Sequence, residues 1–537
     1  MEIERRYRAV DERQSRERAD ALCAWLRDYA ATRINSRLID ERRCIPPHVA
    51  LDFGNHGLFG LHVEERHGGS ALQCRDVNRV LQQTAALDLG LGTWLRTSMF
   101  PGVRPIAAFA NETLKETLLP DLASGRMLAG YGQTEPAAGT HFPAMEARAV
   151  ATGRGTWRVS GDKVWIGNAT WAGVLTVMAH EFEGDRRRGL NAYVIPMDSP
   201  GVRFGRELLS LGMRGMVQSE ISFRDVEVGE ESVLGGLGAG LEVGVDSMSF
   251  SRFAIAATCV GAMKHCASQM ARFADRRQIA TGRLIEHPVF RAGFGEVVAR
   301  TAAGDALLEA CGELLDREES VPIELFAVAK VATSEFLWAS ADRLVQTLGG
   351  RGYDESNGAA QLLRDARVTR IFEGTSEALI AYLGQQALSP KSALHPLLRD
   401  LFGSPEVADS LAECAVALRA RGVSAGGSDT GEPSTLPRTW QLAALGWTAM
   451  WAVIVACLRA RGDEDPRVLE WAGLQLEQAR AAAMHGSPGE SVMFAPHDID
   501  KFAERFRGEI GDVLQTLPGA KEELDPLLRP DPMGDGH

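Results

Sequence analysis

The chain has 537 residues, 45% of them hydrophobic and 24% charged. That composition excludes disorder as the dominant state and leaves enough chain for several cores without disulfide staples. Lys+Arg 58 against Asp+Glu 71 gives a net charge of −13, which argues against general binding of nucleic acid or an anionic membrane. The 8 cysteines are scattered with no Cys-x-x-Cys, so neither a zinc ribbon nor a thioredoxin-type pair is indicated, no metal site is expected, and a reducing, cytoplasmic setting is. The N-terminal run MEIERRYRAVDERQSRERAD mixes both charge signs and lacks the apolar segment of a secretory signal.

Taken in chain order, residues 1–130 read as an N-terminal helical domain, with apolar spacing such as Leu22, Trp25, Leu26 and Tyr29. From 131 to 240 the period shortens. TWRVSGDKVWIGNA, VLTVMAHEF, NAYVIPM and SEISFRDVEV are β-branched runs bounded by Gly, Asp, Asn and Pro, the pattern of an antiparallel β domain. Helical spacing returns over 241–390, with long segments at 255–276, 289–316 and 323–348, and predicts a helical bundle. The polar stretch 420–437 reads as a linker, and 391–537 as a whole reads as linker plus an additional helical domain. Its run LAALGWTAMWAVIVACL, Leu442 to Leu458, falls just short of the ~18 residues that flag a membrane span and is expected as a buried helix.

Several motif matches lack the surroundings their chemistry needs. Gly422-Val-Ser-Ala-Gly426 fits a nucleophile elbow but lies in the polar stretch, without a strand before it. Gly236-Leu-Gly238-Ala-Gly240 leads from the β region into helices rather than through a βαβ unit. His180-Glu181 has no second His at zincin spacing, and Arg186-Arg187-Arg188 is expected as a solvated turn between strands. Glu373-Gly374-Thr375-Ser376 is different. It follows the apolar face of Val368, Ile371 and Phe372; Gly374 suits a helix stop, and Thr375 or Ser376 can cap the helix after it. Glu373 is therefore expected at a helix-to-helix corner beside an aromatic ring. An apolar neighbour and a negative helix end disfavour the ionised form, a tuning that suits a general base.

Six ordered segments then carry a resemblance. Tyr131-Gly-Gln-Thr-Glu-Pro-Ala-Ala-Gly-Thr140 is similar to the flavin loop of the acyl-CoA dehydrogenase family, and Lys163-Val-Trp-Ile-Gly-Asn168 to its Lys-x-Trp-Ile-Thr-Asn strand. Ile221-Ser-Phe-Arg-Asp-Val-Glu-Val228 resembles its Phe-x-Asp-Val-x-Val segment. Gln346-Thr-Leu-Gly-Gly350, Arg364-Asp-Ala366 and Glu373-Gly-Thr375 resemble its C-terminal block. The resemblance spans roughly residues 10 to 390. It implies an α+β fold: an N-terminal helical domain, a middle antiparallel β-barrel domain, a C-terminal four-helix bundle, and an extra C-terminal helical domain as in the longer members.

The resemblance also implies FAD. Tyr131, Thr134, Gly139, Thr140, Trp165 and Gly167 would line the flavin, Gln346, Gly349, Gly350 and Arg277 would serve its adenosine side across a dimer interface, and Thr375 would approach the pyrophosphate. Thr140, Arg252 and Gly374 are the substrate-side candidates. Glu373 occupies the position of the base that removes the α-proton of an acyl thioester while the β-hydride leaves for the flavin. The family's other location for that base falls near Ser251, which is not a carboxylate. Acyl-CoA is the expected substrate, acyl carrier protein thioesters the alternative, and an oxidase or monooxygenase of the same fold a further one. An electron-transferring flavoprotein as acceptor and a homodimer, or else a tetramer, complete the expectation. The sequence departs from the family pattern where Gly167 replaces a hydroxyl residue, His141 and Ser249 replace acidic ones, and Arg277-Gln-Ile-Ala-Thr-Gly282 replaces Arg-x-x-Phe-Gly.

Overall fold

The computed structural model describes residues 1–153, 155–421, 423, 436–462, 465–486, 492–511 and 526–528. A short strand β1 (Glu2–Ile3) precedes helices α1 (Glu12–Arg33), α2 (Ser36–Arg42), α3 (Pro47–Asn55), α4 (Cys74–Leu87), α5 (Leu89–Thr97), α6 (Arg104–Phe109) and α7 (Glu112–Ala123). Their starts are written in the sequence: the side chains of Asp11, Asn35, Asp88 and Asn111 each accept a backbone N–H in the first turn of the helix that follows. On α1, Leu26 and Tyr29 are buried, whereas Leu22 and Trp25 are half-buried at the margin of the same face.

The β region holds β2 (Leu128–Gly132), β3 (Arg148–Gly153), β4 (Thr156–Gly167), β5 (Ala172–Glu183), β6 (Arg186–Pro196), β7 (Val202–Glu207) and β8 (Gln218–Gly229). Most pairings are antiparallel, but β2 and β3 both lie parallel to β5. They pair with successive halves of one edge of β5, while β6 pairs antiparallel with β5. The loop between β2 and β3, residues 133–147, therefore leaves the sheet midway along β5. Arg186, Arg187 and Arg188 are not a turn: they begin β6, with the turn one step earlier at Gly184 and Asp185. Arg188 reaches back across that turn to Glu183.

Helix α8 (Gly240–Arg276) starts well before the helical periodicity at residue 255, and runs past the Gly236–Gly240 loop into the core. Strands β9 (Gln278–Ile279) and β10 (Gly282–Arg283), helix α9 (Pro288–Asp316), strand β11 (Val321–Pro322) and helix α10 (Ile323–Leu348) follow. Strand β11 pairs with β1, fastening the start of the chain to the bundle. Then come α11 (Gly350–Tyr353), α12 (Ala359–Val368), α13 (Ser376–Leu388), α14 (Leu394–Pro396), α15 (Pro405–Ala420), α16 (Leu436–Arg461) and α17 (Pro466–His485).

One hydrophobic core takes in side chains from Ile3 through the helices on either side of the β region to Leu476. The apolar run 442–458 lies within α16, whose Leu445, Ala449, Val453, Ile454 and Ala456 are fully buried. Residues Trp440–Arg461 are long and apolar enough to cross a membrane by length and composition, and 78% of the apolar window is buried in the structure. Trp451 of α16 and Trp471 of α17 close on Phe336 of α10, with ring centroids 5.3–6.0 Å apart. Residues 424–435 of the polar stretch, and with them most of the Gly422–Gly426 match, lie outside the described residues. The chain forms two compact units, Met1–Met484 and His485–His537. The second holds α18 (Pro496–Ile510), on which Phe502 packs against Phe494 and Phe506.

Candidate active site

Helix α12 ends at Val368, and a turn through Thr369–Phe372 delivers Glu373 in the left-handed region at φ 49°. Gly374 follows at φ 97°, where a side chain would be strained. Thr375, not Ser376, caps α13, its hydroxyl accepting the Ala378 N–H. Ser376 instead donates to Glu335, which also binds Arg370 of the turn.

The corner is clamped from several helices. Arg252 of α8 donates through Nε to the carbonyl of Glu373 at 3.0 Å, and Lys330 of α10 donates through Nζ to the carbonyl of Gly374 at 2.6 Å. Burial lowers the Lys330 ammonium to about 8. The Glu373 carboxylate accepts from Ser251 Oγ of α8 at 2.7 Å and from Arg96 Nη1 of α5 at 2.5 Å. Arg96 Nη1 also reaches Ser251 Oγ at 3.0 Å, and the guanidinium lies 4.4 Å over the Phe372 ring. The apolar surroundings expected for Glu373 are therefore corrected: the aromatic ring is there, but a buried cation stands between it and the carboxylate.

Sequence reasoning passed over Arg96 and Lys330. Each is a lone basic residue inside an apolar helical run, LGLGTWLRT and FAVAKVATS. A buried charge needs a partner, so such residues announce a polar site even when the partner is unknown.

The other cluster is the loop after β2. Lys163 of β4 is buried, and its Nζ donates to Glu135 Oε1 at 2.7 Å, to the Met178 carbonyl at 2.7 Å and to the Gln133 carbonyl at 3.2 Å. Glu135 also accepts the Ala147 N–H. This buried pair fixes both ends of the loop that carries Thr134, Gly139 and Thr140. The Thr134 carbonyl accepts the Val164 N–H, and Tyr131 Oη donates to Gln133. A bulge in the β4–β8 pairing between Lys163 and Ile166 turns Trp165 outward, at φ 56° and 59% exposed. Gly167 ends the same strand.

Gln346, Gly349 and Gly350 lie exposed at the C-terminal end of α10, and Arg277 lies exposed at the end of α8. Among the described residues, no hydrogen bond or ion pair joins these four to Glu373 or to the β2–β3 loop. The structure thus gathers Ser251, Arg252, Glu373, Gly374 and Thr375 at one corner, and Tyr131, Thr134, Lys163 and Trp165 at another.

These surfaces fit a planar anionic cofactor. A Cβ built at Gly139, Gly349 or Gly350 meets nothing within 4 Å, so backbone is open to close approach. Trp165 offers an exposed indole face beside that loop.

A helical region, a β region and a second helical region, with a carboxylate held at a strained helix corner, define the class. The family models for the N-terminal, middle and C-terminal domains of acyl-CoA dehydrogenases match residues 16–126, 130–226 and 238–388. The chain belongs to the acyl-CoA dehydrogenase family. The very long-chain specific acyl-CoA dehydrogenase of rat mitochondria (Rattus norvegicus) is 30% identical over 345 residues, 62% of this chain and 52% of the rat protein. The chain thus matches about half the length of that relative. An acyl-CoA dehydrogenase of Bacillus subtilis is 28% identical over 66% of this chain and 93% of its own. An acyl-CoA dehydrogenase of Bacillus anthracis, solved complexed with FAD, has the same fold across 93% of this chain and 92% of its own, with a TM-score of 0.71 at 18% identity. That coverage extends past the family models into the additional C-terminal helices.

Proposed function

We propose that this protein is an FAD-dependent dehydrogenase of acyl thioesters, with acyl-CoA as substrate and Glu373 as the base. The observation that carries the reading is the clamped corner: Glu373 presents a carboxylate while Arg252 and Lys330 hold the backbone on either side of Gly374. FAD, when bound, supplies the two-electron acceptor for the β-hydride. Tyr131, Thr134, Gly139, Thr140, Trp165 and Gly167 would hold its flavin end. Thr375 would face the pyrophosphate, and Gln346, Gly349, Gly350 and Arg277 would meet the adenosine end of a cofactor shared with a second copy. Their exposure in one chain supports that sharing and a homodimer.

Glu373 takes the α-proton onto its carboxylate, and the C–H pair lost at the β-carbon leaves as hydride, so the acyl thioester becomes the trans-2-enoyl thioester. Protonation of Glu373 leaves Arg96 without its counter-charge, while the fixed backbone keeps the carboxyl in place. The Glu373 N–H would polarise the thioester carbonyl, the kind of donor that stabilises developing negative charge. Gly374, where a Cβ would stand 3.2 Å from Leu379, would meet the thioester through its backbone. An electron-transferring flavoprotein is the proposed acceptor for the reduced enzyme.

The test is anaerobic addition of short, medium, long and branched acyl-CoAs to the purified holoenzyme, following the flavin absorbance, with the same acyl groups on a carrier protein alongside. Bleaching by a CoA series supports the reading. Bleaching by carrier-bound acyl groups alone moves the substrate to that class, and an oxidised flavin indifferent to every thioester overturns the reading. Glu373→Gln is expected to keep FAD and to slow flavin reduction by about 10²–10⁴-fold, the usual worth of a positioned base.

A further inference from the structure

Arg96 belongs to none of the motifs that led to the site, yet among the described residues its guanidinium is the one charged group in hydrogen-bond reach of the Glu373 carboxylate. We propose that Arg96 is a positioning residue for Glu373, holding the carboxylate charged and aimed so that the enzyme keeps working on the acid side of neutrality. The proposal rests on the reading of Glu373 as the base.

The geometry carries it. Arg96 is 1% exposed and Glu373 11%, so the pair is shielded from water and from salt. One nitrogen, Nη1, serves both Glu373 and Ser251, while Ser251 Oγ donates to the same carboxylate oxygen. The three groups close a triangle from α5, α8 and the corner before α13. The Phe372 ring beneath the guanidinium fixes its plane. A guanidinium stays charged at every pH the protein meets, so it is a permanent counter-charge rather than a titrating one.

The other groups packed around Glu373 do not duplicate this role. On α8, Arg252 spends its Nε on the Glu373 carbonyl; on α10, Lys330 spends its Nζ on the Gly374 carbonyl. Glu335 of α10 is taken by Arg370 and Ser376, and Tyr382 of α13 donates to Glu324 of α10. Removing Arg96 therefore takes away the direct charge contact and leaves the backbone clamp whole.

The experiment measures the rate of flavin reduction by a good acyl thioester, under anaerobic single-turnover conditions, from pH 5 to pH 9. Wild type, Arg96→Met, Arg96→Gln and Arg96→Lys are compared, each checked for FAD content and melting temperature, with Glu373→Gln as the inert control. In Arg96→Met or Arg96→Gln the pH of half-maximal rate on the acid side is expected to rise by about 1–3 units, the range an adjacent arginine commands over a carboxylate. Arg96→Lys keeps a charge and is expected to recover most of that movement. Either neutral variant suffices should the other fail to fold. If one of them loads FAD and retains the wild-type acid limb, Arg96 only fastens α5 to the corner and the proposal is overturned. An active Glu373→Gln variant would overturn the base assignment itself, and a wild type inert to every thioester would remove the reaction. Both results differ from an unmoved acid limb in an otherwise active series.

Discussion

At Gly167 a Cβ would come within 3.0 Å of the Thr97 γ-methyl, a side chain arriving from the end of α5. The family pattern carries a hydroxyl residue on β4 at this point, so the glycine is more than a deletion: its space is filled from the neighbouring helix. Thr97 Oγ1 is itself buried without a hydrogen-bond partner. Gly167→Ser should therefore overpack the junction of α5 and β4 and cost about 1–3 kcal/mol. Thr97→Ala in the same chain removes the obstructing methyl, and the double variant should recover much of the loss. Denaturant unfolding of the four proteins checks this, and simple additivity of the two changes would show that the side chains do not compete for one space. Residues of this scale divide sharply in how legible they were. The cap of α13 could be narrowed to Thr375 or Ser376, because the partner of the actual cap, Thr375, is three residues away. Arg96 could not be paired with Glu373, because 277 residues separate them and no local pattern joins them.

Elements were legible where their periodicity was long and undisturbed. Helices α9 and α10 fall within a residue of the spans their apolar spacing predicts. The start of α8 did not, because Gly240, Gly244, Ser247 and Ser249 break the apolar stripe with small residues that are buried all the same. Strands β2, β3 and β7 were missed for a related reason. β3 and β7 are mostly exposed, and β2, LAGYG, carries two glycines. Close approach explains another helix. On α16 a Cβ at Gly446 would stand 1.9 Å from the Ile380 carbonyl oxygen of α13, and on α13 one at Gly384 would stand 1.9 Å from the Leu442 carbonyl oxygen. The two helices meet backbone to backbone through this reciprocal pair of glycines. Gly446→Ala should wedge them apart and destabilise by about 1–3 kcal/mol, although alanine is the better helix former by about 1 kcal/mol. Gly473 on α17 is the control, since a Cβ there meets nothing within 4 Å. Gly473→Ala should be neutral or stabilising, and equal effects at the two sites in urea unfolding would refute the wedge.

Across the whole molecule the sequence separated helical from β regions correctly because the hydrophobic period changes there. It could not place the charges that the shared core encloses, since burial depends on distant elements. Two of these charges give the fold opposing pH dependences. His62 is enclosed with neither ring nitrogen bonded; burial first, then the Arg104 guanidinium, lower it from 6.5 to about 3. Between those values the unfolded chain binds a proton that the folded chain refuses, so stability falls as pH falls through the window. Asp365 is raised from 3.8 to about 8, by burial first and by Asp88 next, while its carboxylate accepts the Met213 N–H. Between those values the folded chain keeps a proton that the unfolded chain has released, so stability falls as pH rises. From pH 4 to pH 6.5 the two oppose each other. Single substitutions separate them. Relative to wild type, His62→Leu should gain on the order of 2 kcal/mol when the pH is lowered from 7 to 5, because the acid penalty is gone. Asp365→Asn keeps an acceptor for Met213 and should lose by a similar amount, on the order of 2 kcal/mol, over the same change, because wild type is then relieved of a penalty the variant never had. Urea unfolding of the three proteins at pH 5, 6 and 7 reads both effects as differences. Parallel profiles for all three would mean that neither site is as closed to water as the packing around His62 and Asp365 requires.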